Sequence, residues 1–363
     1  MLGTTYSDTP SHVTTGMLHT SIERRTLTFK RPATTSRGTY DTRTIRLIRI
    51  TDDDAPGVEG VGECSPLPDL SCDAMSDSDM DMLLVCACDD LCQTGRIDRD
   101  ALRPYPSVLF GLESAMWQLR RGGSPILSDT PFGRGESGIP INGLVWMGAF
   151  DEMMHRMQEK VRAGFKCVKI KIGGIDFEQE VQILSALRSC FGKSEIELRL
   201  DANGAFTPAD APNRLDTLAK YDIHSIEQPI KQGQWDEMAK LCASSPIDIA
   251  LDEELIGVNT PELKDELLDK IRPRYVVVKP TLHGGLSGAK EWIDKARERG
   301  IGSWVTSALE SNAGLNAIAH FAAEVYGPDF AMPQGLGTGQ LFTENIDMPI
   351  RIDGQRLFVC TKE

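Results

Sequence analysis

The sequence predicts an α/β barrel of the (β/α)8 type with a smaller α+β domain ahead of it. Three observations carry this. From about residue 139 onward, short apolar runs alternate with amphipathic segments, and the runs recur roughly every 25–30 residues, the spacing of successive βα units. Before that point strands come first and helices after, the order of a small α+β domain. Charged residues stand where the apolar runs stop, and in a barrel those strand ends converge on one face. An open, doubly wound sheet is the structural rival, but it has less use for eight evenly spaced strands.

Residues 1–20 are polar and lack the charged-then-apolar order of a signal peptide, so they read as a flexible tail. From 21 to 63 the pattern is that of strands: Thr26, Thr28 and Lys30 interleave with Leu27 and Phe29. Ile45 and Leu47 flank Arg46, and Ile48 and Ile50 flank Arg49. The alternation slips once, between Leu47 and Ile48, which predicts a bulge or burial on both faces. The run Asp52, Asp53, Asp54 before Pro56 and Gly57 reads as a solvated turn rather than a metal site. Residues 33–38 form a polar loop with one arginine, Arg37. Residues 80–92 and 106–121 are apolar at helical spacing. Cys86, Cys88 and Cys92 suggest zinc, but no second cysteine or histidine pair lies near, and buried helical thiols explain them better.

The barrel strands are expected at 139–145, 167–172, 196–200, 225–227, 247–252, 275–280, 303–307 and 330–334. Helices are expected between them, among others at 150–163, 177–190, 260–271 and 286–299. Residues 350–359 read as a strand returning to the first domain.

The stretch Cys167 to Gly174 organises the rest. Val168, Ile170 and Ile172 alternate with Lys169 and Lys171, so both lysines point to one face of a strand. Two ammonium groups on an inward face are costly unless something negative awaits them. The following strands supply it. Asp201 follows Leu200, Glu227 follows Ile226, Asp252 follows Leu251, and Lys279 follows Val278. Taken singly, each acid reads as a helix cap or loop residue. Five charged residues at five strand ends, in the order Lys, Asp, Glu, Asp, Lys, read together as a site. Three carboxylates brought close do not all stay ionised without a cation between them. An all-oxygen set with open positions favours a hard divalent ion, Mg²⁺. A lysine beside such an ion and a second lysine, as Lys171 is beside Lys169, is suited to act as a general base. The chemistry this predicts is proton abstraction next to a carboxylate.

Composition narrows the partners. A formal net charge of −14 argues against nucleic acid or an anionic membrane, either of which needs a basic surface. It leaves an anionic small molecule open, because the local field decides in a cleft. No apolar run is long enough to span a bilayer. Nine cysteines, an odd number without a disulfide-like framework, suit a reducing cytoplasm. A monomer and a homo-oligomer are both compatible with the sequence.

The motifs Lys169-Ile170-Lys171, Asp201-Ala202-Asn203-Gly204, Ile226-Glu227-Gln228-Pro229, Leu251-Asp252-Glu253-Glu254 and Val278-Lys279-Pro280-Thr281 resemble the enolase superfamily, in its muconate lactonising subgroup. The resemblance covers nearly the whole chain after the first ~20 residues. It implies a (β/α)7β modified TIM barrel at 136–339 and an α+β capping domain at 21–135, completed by about 340–363. It also implies Mg²⁺ (with Mn²⁺ as a substitute) on Asp201, Glu227 and Asp252, and an acid–base pair of Lys171 and Lys279. Asn203 and Glu253 would steady the metal ligands. Within the superfamily, Thr35-Ser36-Arg37-Gly38, Glu63-Cys64-Ser65-Pro66-Leu67-Pro68, Thr306 to Ser311 and Gln334 to Phe342 are most similar to the o-succinylbenzoate synthase family. That implies a syn dehydration in menaquinone biosynthesis. Lys171 would take the α-proton and return it to the departing hydroxide, and Lys279 would stay charged over the planar anion. Arg37, Ser307, Glu310 and Ser311 are candidates for substrate contact by position.

Alternatives stay open at this stage. The same two lysines would serve an N-succinyl or N-acyl amino acid racemase, or a cycloisomerase. A barrel without catalysis is the rival of another class, and retention of all five charged residues speaks against it. The stretch Trp304 to Asn312 lacks the histidine that the mandelate racemase branch uses, and His283 reads as a supporting loop residue. Gly335-Leu336-Gly337-Thr338-Gly339 echoes half of a dinucleotide fingerprint but lacks its full spacing and following acid.

Overall fold

The computed structural model of the chain describes residues 16–34, 38–146, 148–330 and 332–360. Strands β1 (Leu18–Thr34), β2 (Thr39–Asp52) and β3 (Glu59–Cys64) form an antiparallel sheet in chain order. β1 and β2 pair continuously from Leu18 with Asp52 to Thr28 with Thr42. Leu18, His19 and Thr20, expected in the tail, are therefore already strand, and Leu18 is buried. No slip occurs at Leu47 and Ile48. The broken alternation there is burial on both faces. Ile45 and Leu47 pack with Leu67, Leu282 and Leu309, whereas Ile48 and Ile50 pack with Leu84, Leu112 and Ala115. The irregularity lies instead between Thr28 and Ala33.

Helices α1 (Asp77–Thr94), α2 (Arg99–Leu102) and α3 (Pro106–Arg120) cover the second face of this sheet. Ser76 caps α1 by accepting from the Asp79 amide, and Gly95 ends it in a left-handed turn. β3 lies directly on α3: a Cβ at Gly60 or Gly62 would stand 2.0 or 1.9 Å from the carbonyl oxygen of Ala115 or Gly111. Only glycine allows that approach.

Two short strands, β4 (Ile139–Pro140) and β5 (Gly143–Val145), replace the single strand expected at 139–145. Pro140 has no amide hydrogen to continue the ladder. Strand and helix then alternate: α4 (Phe150–Arg162), β6 (Cys167–Lys171), α5 (Phe177–Cys190), β7 (Glu197–Asp201), α6 (Ala211–Leu218), β8 (Ile223–Glu227), α7 (Trp235–Ser244), β9 (Asp248–Leu251), α8 (Pro261–Ile271), β10 (Tyr275–Val278), α9 (Gly285–Glu298), β11 (Gly302–Val305) and α10 (Asn312–Tyr326). β5 to β11 form one seven-stranded parallel sheet in unbroken order. The eighth strand, expected at 330–334, is reduced to two parallel bridges, Ile141 with Gln334 and Thr306 with Gly335. They close the ring between β11 and β5. Pro333 explains the shortening, since it cannot donate to a ladder.

Among the described residues, no helix follows that stave. The chain makes a hairpin, β12 (Ile350–Asp353) and β13 (Arg356–Val359), and β13 pairs with β4. The return of 350–359 is thus to the start of the barrel, not to the first sheet; the stretch around Leu341 to Thr343 bonds to β1 instead. The architecture is a (β/α)7β modified TIM barrel with an α+β capping domain. No helix among the described residues is long and apolar enough to cross a membrane.

Candidate active site

Strand register builds the site. β6 pairs Lys171 with Asp201 of β7, and β7 pairs Asp201 with Glu227 of β8. Three charged side chains therefore leave the wall side by side. Glu227 pairs with Ala250, so Asp252 stands two residues further along, just past β9. Lys279 follows the last residue of β10.

The ammonium groups and carboxylates interlock. Lys169 Nζ lies 3.0 Å from Glu227 Oε2 and 3.1 Å from Asp201 Oδ2. Lys171 Nζ lies 3.0 Å from Asp201 Oδ2 and donates to Asn203 Oδ1 at 2.7 Å. Lys279 Nζ donates to Asp252 Oδ2. Burial works against the Lys169 ammonium, but the charges of Asp201, Glu227 and Asp252 outweigh it and hold its pKa above the ordinary lysine range. Lys279 is raised in the same way, burial being outweighed by Asp252, Glu253 and Glu227. Both shifts have one cause: the carboxylate charges act on these ammonium groups more strongly than burial and the other lysines do.

The carboxylates divide. Burial opposes the Asp201 charge, yet Lys169, Lys171 and Lys279 overcome it and hold its pKa below the usual range. Glu227 is pushed up to about 8, by burial first and then by Asp201. Burial also raises Asp252 and Glu253. Four buried acids face three lysines, and the surplus negative charge falls on Glu227 and Asp252 as a tendency to hold a proton.

The donor set suits a hard cation. Asp201, Glu227 and Asp252 are buried carboxylates, and Asp252 Oδ1 has no hydrogen-bond partner among the described residues. Among the described residues, no three acids, histidines or cysteines already stand in the geometry of a metal cluster. The lysine ammonium groups sit between the acids instead.

The residues after the acids are bent to serve them. Asn203 has φ of 44° and Gln228 has φ of 42°, both left-handed. Asn203 accepts from Lys171 and donates to Glu253 Oε1 at 2.8 Å. Gln228 Oε1 accepts from the amides of Asp252 (3.3 Å) and Glu254 (3.1 Å), which pins the loop after β9. His283 Nδ1 accepts from the Lys279 amide at 2.9 Å and fixes that backbone; burial holds its pKa well below the ordinary value, so the ring is neutral.

A cavity of about 770 Å³ opens over the charged row. Lys169, Lys171, Asp201, Asn203, Glu253 and Lys279 line its floor, and Ala33, Tyr40, Leu67 and Leu70 of the capping domain line its roof. Trp146 lines it too, its ring 5.9 Å from Lys171 Nζ. Ser307 also lines it, its hydroxyl 2.5 Å from that of Thr338. Glu310 and Ser311 do not. Glu310 is fully buried and accepts from the Thr281 hydroxyl and, at 2.7 Å, from the Ala308 amide. Ser311 caps α10 and donates to Glu63 of the capping domain. Glu310 is thus bonded within the barrel, whereas Ser311 ties the barrel to the capping domain. Arg37 lies outside the described residues. Cys88 is packed with Leu84 and Leu91, and Cys86 is exposed. Residues 335–339 run along the cavity without opening a helix, so they build no phosphate cradle.

Trp146, Gln228 and Glu63 were not singled out for these roles by sequence. A tryptophan after a short strand and a buried glutamate in a proline-stopped loop carry no spacing signal; only Gln228, directly after an acidic strand end, had one.

Residues 152–359 match the family model described as Enolase C-terminal domain-like. The o-succinylbenzoate synthase of Desulfotalea psychrophila (strain LSv54 / DSM 12343) is 44% identical over 368 residues, covering 93% of this chain and 98% of that protein. The crystal structure of MenC from Desulfotalea psychrophila LSv54 has a TM-score of 0.78 at 40% identity, covering 94% of this chain and 100% of that one. The dipeptide epimerase from Enterococcus faecalis V583, solved with Mg and the dipeptide L-Leu-L-Tyr, has a TM-score of 0.80 at 20% identity, covering 96% and 97%. That last likeness is one of fold alone.

Proposed function

The chain belongs to the Enolase C-terminal domain-like family, and from that premise we propose that it is an o-succinylbenzoate synthase. The reaction is a carbon–oxygen lyase step: 2-succinyl-6-hydroxy-2,4-cyclohexadiene-1-carboxylate loses water and becomes 2-succinylbenzoate. The near-full-length likeness to the Desulfotalea psychrophila synthase carries this reading, and the lysine–carboxylate row supplies the chemistry it needs.

Lys171, in its neutral form, takes the proton on the carbon that bears the ring carboxylate. The C–H electrons form the new double bond, the C–O bond to the hydroxyl breaks, and the Lys171 ammonium gives its proton to the departing oxygen as water. Asn203 and Asp201 hold Lys171 Nζ in place for both transfers. Lys279, four strands away and kept charged by Asp252, steadies the negative charge from the other side. Asp201, Glu227 and Asp252 would hold a divalent cation, Mg²⁺ or in its place Mn²⁺, whose charge would bind the substrate carboxylate and stabilise the charge that develops on it. Lys169 bridges two of those acids with its single positive charge.

The proposal includes a capping unit at 21–135 and a barrel unit at 136–339; of the stretch 340–363 expected to complete the cap, 350–359 goes with the barrel, where β13 pairs with β4. It also includes a place in menaquinone biosynthesis in the cytoplasm, where the nine free thiols would persist. The test is turnover of the cyclohexadiene by the purified protein, read as loss of the diene chromophore. Fast turnover with Mg²⁺, lost in EDTA and in Lys171→Ala, is the expected result. No turnover with Mg²⁺ sinks the synthase reading. The lysines on opposite sides of the mouth equally suit a two-base racemase, so hydrogen–deuterium exchange at the α-carbon of N-succinyl amino acids is the companion assay.

A further inference from the structure

We propose that Lys30 and Arg31 form a second anion site at the rim of the cavity and hold the distal carboxylate of a dicarboxylate substrate. The identity of that substrate rests on the synthase reading; the site itself does not.

The first observation is the irregularity in β1. From Thr28 to Ala33, β1 takes five steps where β2, from Thr42 to Tyr40, takes two, so β1 carries three extra residues. Bulges of this kind re-aim side chains beside functional sites. Here the freed backbone is caught by the loop after the eighth stave. The Lys30 amide donates to the Leu341 carbonyl at 2.8 Å, and the Thr343 amide donates to the Thr28 carbonyl at 2.9 Å. The rings of Phe29 and Phe342 pack against each other at a tilt of 31°, with centroids 4.6 Å apart. The excursion is therefore anchored on both sides, and it presents Lys30 and Arg31 to the cavity that holds Lys171 and Lys279.

The second observation is charge. Lys169, Lys171 and Lys279 are matched by Asp201, Glu227 and Asp252. Among the described residues, Lys30 and Arg31 have no acidic partner, and both are exposed. The acids that line the cavity are engaged elsewhere: Asp201 by lysines, Glu253 by Asn203, and Glu159 beside His155 at 3.3 Å. The chain as a whole carries −14, so an approaching dianion meets a repulsive field except where local cations reverse it. Two unmatched cations at the rim do so. The guanidinium plane of Arg31 fits a carboxylate with two parallel hydrogen bonds. The proposed substrate has a carboxylate on its ring and another at the end of its succinyl tail. With the first at the charged row, the proposal puts the second beside Lys30 and Arg31, which line the same cavity.

The test compares 2-succinylbenzoate with its tail amide, which keeps the ring carboxylate and loses the distal charge. Binding is measured by calorimetry with Mg²⁺ present. The wild-type protein should prefer the acid by about tenfold, and the preference should shrink as salt rises. In Lys30→Met/Arg31→Met the preference should fall to about one, and Lys30→Arg/Arg31→Lys should restore it. A fold defect weakens both compounds alike and leaves their ratio. A preference that survives in the methionine variant, or a failure of the wild-type protein to bind either compound, overturns the proposal. Turnover of the cyclohexadiene in the same preparations separates the two claims. Turnover with the preference unmoved sinks the rim site and leaves the synthase. Absent turnover with the preference lost in the variant sinks the synthase and leaves a dicarboxylate site.

Discussion

At the scale of single residues, function rests on where one nitrogen is held. Lys171 Nζ is placed by Asp201 and Asn203. Lys171→Ala should lower kcat by about 10²–10⁴-fold, the worth of a positioned acid–base group, with an unchanged far-ultraviolet spectrum. Asn203→Ala should act more weakly, by removing the Oδ1 acceptor and leaving Glu253 Oε1 without its donor. Its mark should be a fall in kcat larger than any rise in KM for the cyclohexadiene. These lysines and acids were legible because each interrupts an apolar strand at its end. Asn203 was legible too, two residues after an acid. His283 was readable as a supporting loop residue, and Gln228 only by its place directly after an acidic strand end; the left-handed turn at Gln228 and the hydrogen bond of His283 to the Lys279 backbone, which give them their roles, have no period or composition that announces them.

At the scale of elements, two capping-domain carboxylates terminate barrel helices. Glu63 accepts from the Ser311 hydroxyl and from the amides of Ser311 (3.0 Å) and Gly314 (3.0 Å) at the start of α10. Glu113 accepts from the Ser287 amide at 3.0 Å at the start of α9. Both satisfy amides that a helix cannot bond internally and sit at its positive end. Glu63→Ala should destabilise the protein by about 3 kcal/mol, since it leaves several buried donors unpaired. The measurement is the urea midpoint at unchanged slope. Further along α10, His320 is buried, its Nδ1 2.8 Å from the Ser128 hydroxyl. Burial pushes its pKa down to about 3, with the Arg121 charge acting in the same sense. In the unfolded chain it titrates near about 6.5. The folded state therefore favours the neutral ring. Its contribution is complete above about pH 6.5 and is lost as pH falls toward 3, at up to about 1.4 kcal/mol per unit. Between pH 6.5 and 5 the urea midpoint of the wild-type protein should fall more steeply than that of His320→Gln. The helices themselves were readable from apolar spacing, to within a few residues. Their cross-domain caps were not, because Glu63 and Ser311 are 248 residues apart.

At the scale of the molecule, the cavity exists only between cap and barrel, so the two halves should melt together. A single calorimetric transition is expected, and it should move to higher temperature with Mg²⁺ and back with EDTA. At a concentration 100 times its Kd, a bound ion adds about 2.7 kcal/mol. The barrel was legible from its repeat, but its closure was not: Pro333 and Pro140 shorten the staves on either side of the seam. The seam is sealed by β13 against β4, and Arg356 Nη1 donates to the Gly138 carbonyl 218 residues away. This has a consequence during synthesis. The start of the barrel leaves the ribosome long before its partner is made. At about 5–20 residues per second, the nascent chain waits on the order of 10–45 s with that sheet edge open. For that interval the growing chain offers an unpaired strand to any neighbour, and chaperone holding rather than final stability would set the yield of folded protein.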